Sequence, residues 1–452
     1  MSADPAERRP LPPTAARSGH LSQAVLGVLA LALALAGCST GAPGPQQSPA
    51  TAAAAAGETA PTTPAPPPLS PEEQLRLDAE LLAAAWADDV DAARDLIERG
   101  ADVNAKDDTE QSAYLIATSE GFTELLELTL TNGADIADLD SYDGTGLIRA
   151  AERGHADIVG RLIGRGVAVD HVNNLGWTGL HEALIFADQA GRPARSDSVG
   201  FIDTVRVIVA AGGTITIPAA QDGSTPLDLA RRHGLTPQSR LLEQALALDR
   251  ATPVARADAD SLLIDAAADD DSDRVALALR SGADIETRDA DGQTPLVVAT
   301  KNDSPEAARL LLSMGADPDA QDDIQDSAFL YAGAEGLNEI LLLTLTHGAD
   351  TSSTNRFGGT ALIPAAEGGY AETVRILLDS GVPVDHVNDL GWTALHEAII
   401  YGDGAGGHLE TVRLLLAGGA DASLADGDGI SPRDLAARRG QDRVVALIEE
   451  AS

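Results

Sequence analysis

A chain of 452 residues is too long for one compact core, so several domains or an elongated array are required. Hydrophobic residues make up 44% of it but aromatic residues only 3%, which excludes a thick aromatic-rich core and favours thin, closely packed Ala/Leu/Val helices. A formal charge of −39 at pH 7 repels nucleic-acid phosphates and anionic lipid head groups, and a single cysteine leaves no disulfide within the chain.

The N-terminal segment reads as a targeting sequence. Arg8, Arg9 and Arg17 precede the 13-residue apolar run "AVLGVLALALALA" from Ala24 to Ala36. That run is too short to span a bilayer comfortably but has the length of a signal-peptide core. It leads into "LAGC", Leu35 to Cys38, which resembles the lipobox of bacterial lipoproteins. The resemblance implies a signal peptide over 1–37, cleavage before Cys38 and lipid on that residue. The protein would then be lipid-anchored and extracytoplasmic, at the cell membrane or in the envelope, with the lipid as its sole membrane contact. Residues 38–70 are rich in Pro, Ala and Thr and almost uncharged. They read as a disordered tether that reaches on the order of 100 Å when extended. The tether ends at "SPEEQ", where Ser70 caps, Pro71 takes the first helical position and Glu73 completes a capping box.

From there the chain repeats. "GAD" or a near variant recurs every 33 residues at Gly100, Gly133 and Gly166, and again at Gly282, Gly315, Gly348 and Gly381. Gly212 and Gly419 follow after longer steps of 46 and 38 residues. Within a unit, Thr145, Thr225 and Thr393 stand where a helix would begin, the pairs Ala150-Ala151 and Ala365-Ala366 allow close helix approach, and Gly121 and Gly154 stand where a helix would end in a left-handed cap. "RLLL" and "RLLI" supply the apolar stripe of a second helix. One such unit cannot bury its own apolar face, so several must stack.

A period of 33 with "DGQTPLVVATKNDSPEAARLLLSMGADPDAQ" and "DGSTPLDLARRHG" resembles the ankyrin repeat family. The resemblance implies an all-α solenoid of helix-turn-helix units with finger loops over about 71–451, and binding of a protein or peptide along its concave face, with no catalysis and no cofactor. A second symmetry relates Asp107, Tyr114, Thr145, Asp170, Trp177 and His181 to Asp322, Phe329, Thr360, Asp385, Trp392 and His396, each pair 215 residues apart. It divides the array into a first half, 71–248, and a second half, 257–451, with 249–256 as a joint; whether the stack runs on through the joint or bends there is left open.

The duplicated stretch "DHVNNLGWTGLHEALI" (Asp170 to Ile185) and "DHVNDLGWTALHEAII" (Asp385 to Ile400) raises the question of chemistry. A zinc-type pair needs a second histidine four residues on, and those positions are Ile185 and Ile400, so no metal site is expected. In ankyrin repeats the matching histidine ties adjacent units together, which implies that role for His181 and His396, with Glu182 and Glu397 on a helix within the stack and not in a catalytic pocket. "DADG" (Asp289 to Gly292) and "DGDG" (Asp426 to Gly429) lack the later Glu of a calcium loop and read as finger turns. Trp177 and Trp392 fall where a finger faces the groove, with Leu175, Ile185 and Phe186 beside the first and Leu390, Ile400 and Tyr401 beside the second; these eight are the expected partner-binding residues. Extra residues after each helix, "ADQAGRPARSDSVGF" and "GDGAGGH", read as mobile Gly-rich loops flanking that surface. The same pattern is similar to bacterial envelope ankyrin proteins, some of them associated with catalase and peroxide defence, which implies as an alternative a structural or stress-protective scaffold. A metal-dependent hydrolase is a third class.

Overall fold

The computed structural model describes residues 69–187 and 198–451; the segment expected to be a signal peptide, Cys38 and most of the expected tether lie outside them, as do residues 188–197 of the first insertion. The described residues form 22 α-helices in eleven pairs. The first half holds five: α1 (Pro71–Trp86) with α2 (Val90–Glu98), α3 (Ala113–Glu120) with α4 (Thr123–Thr131), α5 (Gly146–Arg153) with α6 (Ala156–Gly164), α7 (Gly179–Ala187) with α8 (Ser198–Ala210), and α9 (Pro226–Arg232) with α10 (Thr236–Arg250). The second holds six: α11 (Arg256–Ala268) with α12 (Ser272–Arg280), α13 (Pro295–Lys301) with α14 (Pro305–Ser313), α15 (Ala328–Glu335) with α16 (Asn338–Thr346), α17 (Leu362–Glu367) with α18 (Ala371–Asp379), α19 (Ala394–Tyr401) with α20 (Gly406–Ala417), and α21 (Pro432–Arg438) with α22 (Asp442–Ala451).

Local chemistry accounts for most boundaries. Ser70 and Glu73 form the capping box with Pro71 in the first turn. The hydroxyls of Thr145 and Thr294 accept from the backbone N–H three residues on. Gly121 and Gly154 close α3 and α5 in the left-handed region, φ 84° and 76°, where a β-carbon is strained. In every finger but the one before α9, where Ala219 takes the place, an Asp or Asn folds the turn by accepting two backbone N–H groups. Asp140 Oδ1 takes those of Tyr142 and Gly144, both at 2.8 Å. Asp289 and Asp426 do the same in the two calcium-like stretches, so their carboxylates are spent on the turn. Ala150, Ala151, Ala365 and Ala366 are fully buried where the first helices of successive units touch.

The first helices form one layer in each half: α1, α3, α5, α7 and α9 pack in series, as do α11, α13, α15, α17, α19 and α21. The stack does not run on through the joint. The chain turns between Arg250 and Arg256, and α12 packs on α8 and α10 while α14 packs on α6 and α8. Second helices of the two halves therefore meet back to back, and the second half runs back along the first. Where α6 and α14 cross, a β-carbon placed on Gly160 would stand 1.9 Å from the backbone oxygen of Ser313. The seam is also polar. The guanidinium of Arg280 donates to the carbonyls of Val209 (3.1 Å) and Gly213 (3.0 Å) at the end of α8, where a cation suits the helix dipole. It pairs with Asp249 at 2.7 Å. Arg206 bridges to Asp273 at 2.8 Å, Arg161 donates to the Thr346 carbonyl at 2.9 Å, and the Ser313 hydroxyl donates to Asp157.

Candidate functional site

The duplicated motif is built on one asparagine. Asn173 Oδ1 accepts from the N–H groups of Leu175 (3.1 Å) and Trp177 (2.9 Å), holding the finger tip. Its Nδ2 donates to Glu182 Oε1 at 3.0 Å. Asn388 repeats all three contacts with Leu390, Trp392 and Glu397. The His-Glu pair then divides between two tasks. His181 and His396 are fully buried; Nδ1 of each lies 2.8 and 2.9 Å from the hydroxyl of Thr178 and Thr393. Nε2 of His396 lies 3.4 Å from the Ile430 carbonyl of the next unit, whereas Nε2 of His181 faces the backbone of Ser224 and Ile217 without a hydrogen bond to either. Burial pulls both imidazoles below their ordinary pKa, so both are neutral, and His396 ties its unit to the next. His171 and His386 tie successive fingers through the carbonyls of Asp143 (2.7 Å) and Gly358 (2.6 Å).

The glutamate looks the other way, from a buried place on its helix within the stack. Glu182 lines a pocket of about 110 Å³ together with Asp140, Arg149, Glu152, Trp177 and Phe186. At about 30 Å³ per water that space holds only a few solvent molecules, enough for the tip of one side chain and well below the size of ordinary small-molecule sites. Burial first, and then the neighbouring Glu152 carboxylate, push the Glu182 carboxyl up to about 7, against the hydrogen bond from Asn173. Glu397 is pushed to about 7 by burial and by Glu367. The signal for this was present in both copies: an Asn nine residues ahead of the Glu, at 173/182 and 388/397.

Of the expected partner-binding residues, Leu175, Trp177 and Phe186 line the first-half pocket, whereas Ile185 packs against the core. In the second half Leu390 and Tyr401 are 57% and 53% exposed, and Trp392 and Ile400 are half-buried. The second insertion is more tightly held than its glycine content implies. Gln441 Nε2 donates to the carbonyls of Ile399 (2.9 Å) and Gly402 (2.8 Å), and the His408 ring meets the Glu367 carbonyl at 2.8 Å. A larger apolar hollow of about 470 Å³, which the sequence does not announce, lies at the joint against Leu248, Leu262 and Leu277.

Stacked helix pairs with capped first helices, left-handed glycine stops and finger loops define a helical repeat scaffold. The chain belongs to the ankyrin repeat family, whose model of three repeat copies matches residues 81–173, 114–191, 239–322 and 329–426, more than half of the sequence. Among curated proteins it is similar to the ankyrin repeat protein YahD of Escherichia coli (strain K12), 35% identical over 150 residues, which covers 32% of this chain and 69% of that protein. It is also similar to a Fowlpox virus (strain NVSL) ankyrin repeat protein, 28% identical over 168 residues, or 36% of this chain and 46% of that one. Of solved structures, an ankyrin repeat domain from Acinetobacter baumannii AYE is 52% identical, covering 42% of this chain and 96% of its own, with a TM-score of 0.41. A second ankyrin repeat protein is 38% identical, with coverage of 42% and 98% and a TM-score of 0.41.

Proposed function

We propose that this chain is a non-catalytic scaffold that binds a protein or peptide through the two tryptophan-bearing units, and that lipid on Cys38 holds it at the outer face of a membrane. The observation that carries the binding half is the partial exposure of an aromatic-aliphatic set in each half: Leu175, Trp177 and Phe186 around one pocket, and Leu390, Trp392 and Tyr401 on the other. Large rings left half-covered beside buried polar groups are favoured anchors for a partner, and family membership supports the same role. Replacing both Trp177 and Trp392 by Ala is expected to weaken capture of the partner in cross-linked cells at least about tenfold. The melting temperature should fall by no more than about 4 °C; a collapse of the melt would mean that the indoles are core and would end this reading.

The anchoring half rests on the lipobox-like "LAGC" and the single cysteine. Among the described residues no helix is long and apolar enough to cross a membrane. Cells fed labelled palmitate should label the full chain, and Cys38→Ser should abolish the label and release the protein from the membrane fraction. Unchanged labelling in that variant would rule the anchor out.

A further inference from the structure

We propose that the second-half site receives the guanidinium of an arginine supplied by the partner, at the place that Arg149 fills from within in the first half. The inference rests on the partner-binding reading and names what the partner contributes. The two halves correspond at an offset of 215 residues, so the polar wall of the first pocket can be compared position by position. In the first half Arg149 pairs with Glu152 and lies 3.4 Å from Asp140, beside Glu182. In the second half Glu152 and Glu182 recur as Glu367 and Glu397, Asp140 becomes Asn355, and Arg149 becomes Pro364. The internal cation is gone while two carboxylates stay.

Those carboxylates are left without a counter-charge. Glu397 is only 4% exposed; its Oε1 accepts from Asn388 at 3.2 Å, and its Oε2 has no hydrogen-bond partner. A buried carboxylate oxygen in that condition costs free energy unless something pairs with it. Glu367 stands at the exposed rim of the site; partial burial of its carboxyl raises it, and no basic group offsets the shift on either glutamate. Both glutamates also act on the phenol of Tyr401, raising it after burial has done so, so the three groups lie within electrostatic reach of one another. A metal ion is a poorer fit, because among the described residues no three ligating side chains converge, whereas zinc takes four ligands and calcium or magnesium six or more oxygens. A guanidinium matches two carboxylates with its planar fork and can lie against the half-buried Trp392 and exposed Tyr401 rings.

The test uses the full chain and a fluorescein-labelled hexapeptide carrying one arginine among serines and glycines, with its citrulline twin as the uncharged isostere, at physiological ionic strength. One arginine peptide should bind per chain, at least about tenfold more tightly than the citrulline peptide. Glu367→Gln and Glu397→Gln should each remove that binding, and Pro364→Arg should block it from within. Arg149→Ala should open a second site and double the stoichiometry. Equal binding of the two peptides, no binding of either, or indifference to the Glu367 and Glu397 variants would overturn the proposal. If the peptide fails while the Trp177/Trp392 variant still loses its captured partner, this inference falls and the partner-binding reading stands. A tryptophan variant that keeps its partner removes the reading itself.

Discussion

Gly160→Ala should destabilise the protein, although alanine is the better helix former. In an isolated stack of repeats, Gly to Ala within α6 would stabilise the helix by about 1 kcal/mol. Here the new β-carbon would meet the Ser313 carbonyl, with the oxygen at 1.9 Å and the carbon at 2.8 Å. These are backbone atoms that cannot rotate aside, so α6 and α14 must separate by about 1.5 Å to restore ordinary contact. Separation loosens the Ser313–Asp157 and Arg161–Thr346 hydrogen bonds across the seam. The net expected effect is a loss of about 1–3 kcal/mol, the range for overpacking. Gly164→Ala is the internal control: it lies in the same helix with nothing within 4 Å of the added carbon. Urea midpoints of the two variants should move in opposite directions. A gain for both would show that the halves stand apart in solution.

Glu182 and Glu397 should each contribute a loss of stability as pH rises from about 4.5 to about 7, and Glu182→Gln with Glu397→Gln should remove that contribution. The buried His181 and His396 oppose it, because their lowered pKa favours the fold as pH rises. Both carboxyls sit near 7 in the folded chain against an ordinary 4.5. Between those values each of these carboxyls binds more protons in the folded state than in the unfolded one, so its contribution to the derivative of unfolding free energy with pH is negative. Protonation favours the fold at low pH, and the advantage is lost as pH climbs through the folded pKa. Both side chains are only 4% exposed, so each contributes on the order of 1–3 kcal/mol over that window. Glutamine keeps the oxygen that accepts from Asn173 or Asn388 and removes the charge, and the doubly substituted protein should be the more stable one at pH 8. Charge repulsion across this acidic chain also grows with pH, so the difference between wild type and variant is the diagnostic quantity. A wild-type curve parallel to that of the variant would mean that the two glutamates ionise normally. That Glu397 is costly without a counter-ion agrees with a binding role: a cation brought by a partner would relieve what burial opposes.

The parts of the structure legible in the sequence are those decided within about ten residues. Ser70 with Glu73, Thr145 ahead of α5, and Gly121 at the end of α3 each satisfy backbone groups by local spacing, and they appear where the pattern puts them. The contact of Thr178 with His181 was legible for the same reason, since the two are three residues apart. The site was legible in part. The tryptophans, Leu390 and Tyr401 follow from their place on finger and helix, but Ile185 turns to the core. Glu182 enters the pocket because Asn173 reaches it across the finger. Which face of a short helix looks into a groove depends on how neighbouring units lean, and spacing along the chain does not encode that.

The amino-acid pattern settles that the described chain is a stack of helix pairs in two related halves, because a 33-residue period of caps, stops and apolar stripes specifies contacts between adjacent units. It does not settle how one half lies on the other. The seam joins residues 156 and 185 positions apart, such as Asp157 with Ser313 and Arg161 with Thr346, and several of its hydrogen bonds end on main-chain carbonyls of Val209, Gly213 and Thr346. A carbonyl is the same at every residue, so it leaves no mark in the sequence. Only Gly160, a glycine in the middle of an outer helix, records locally that another backbone comes close.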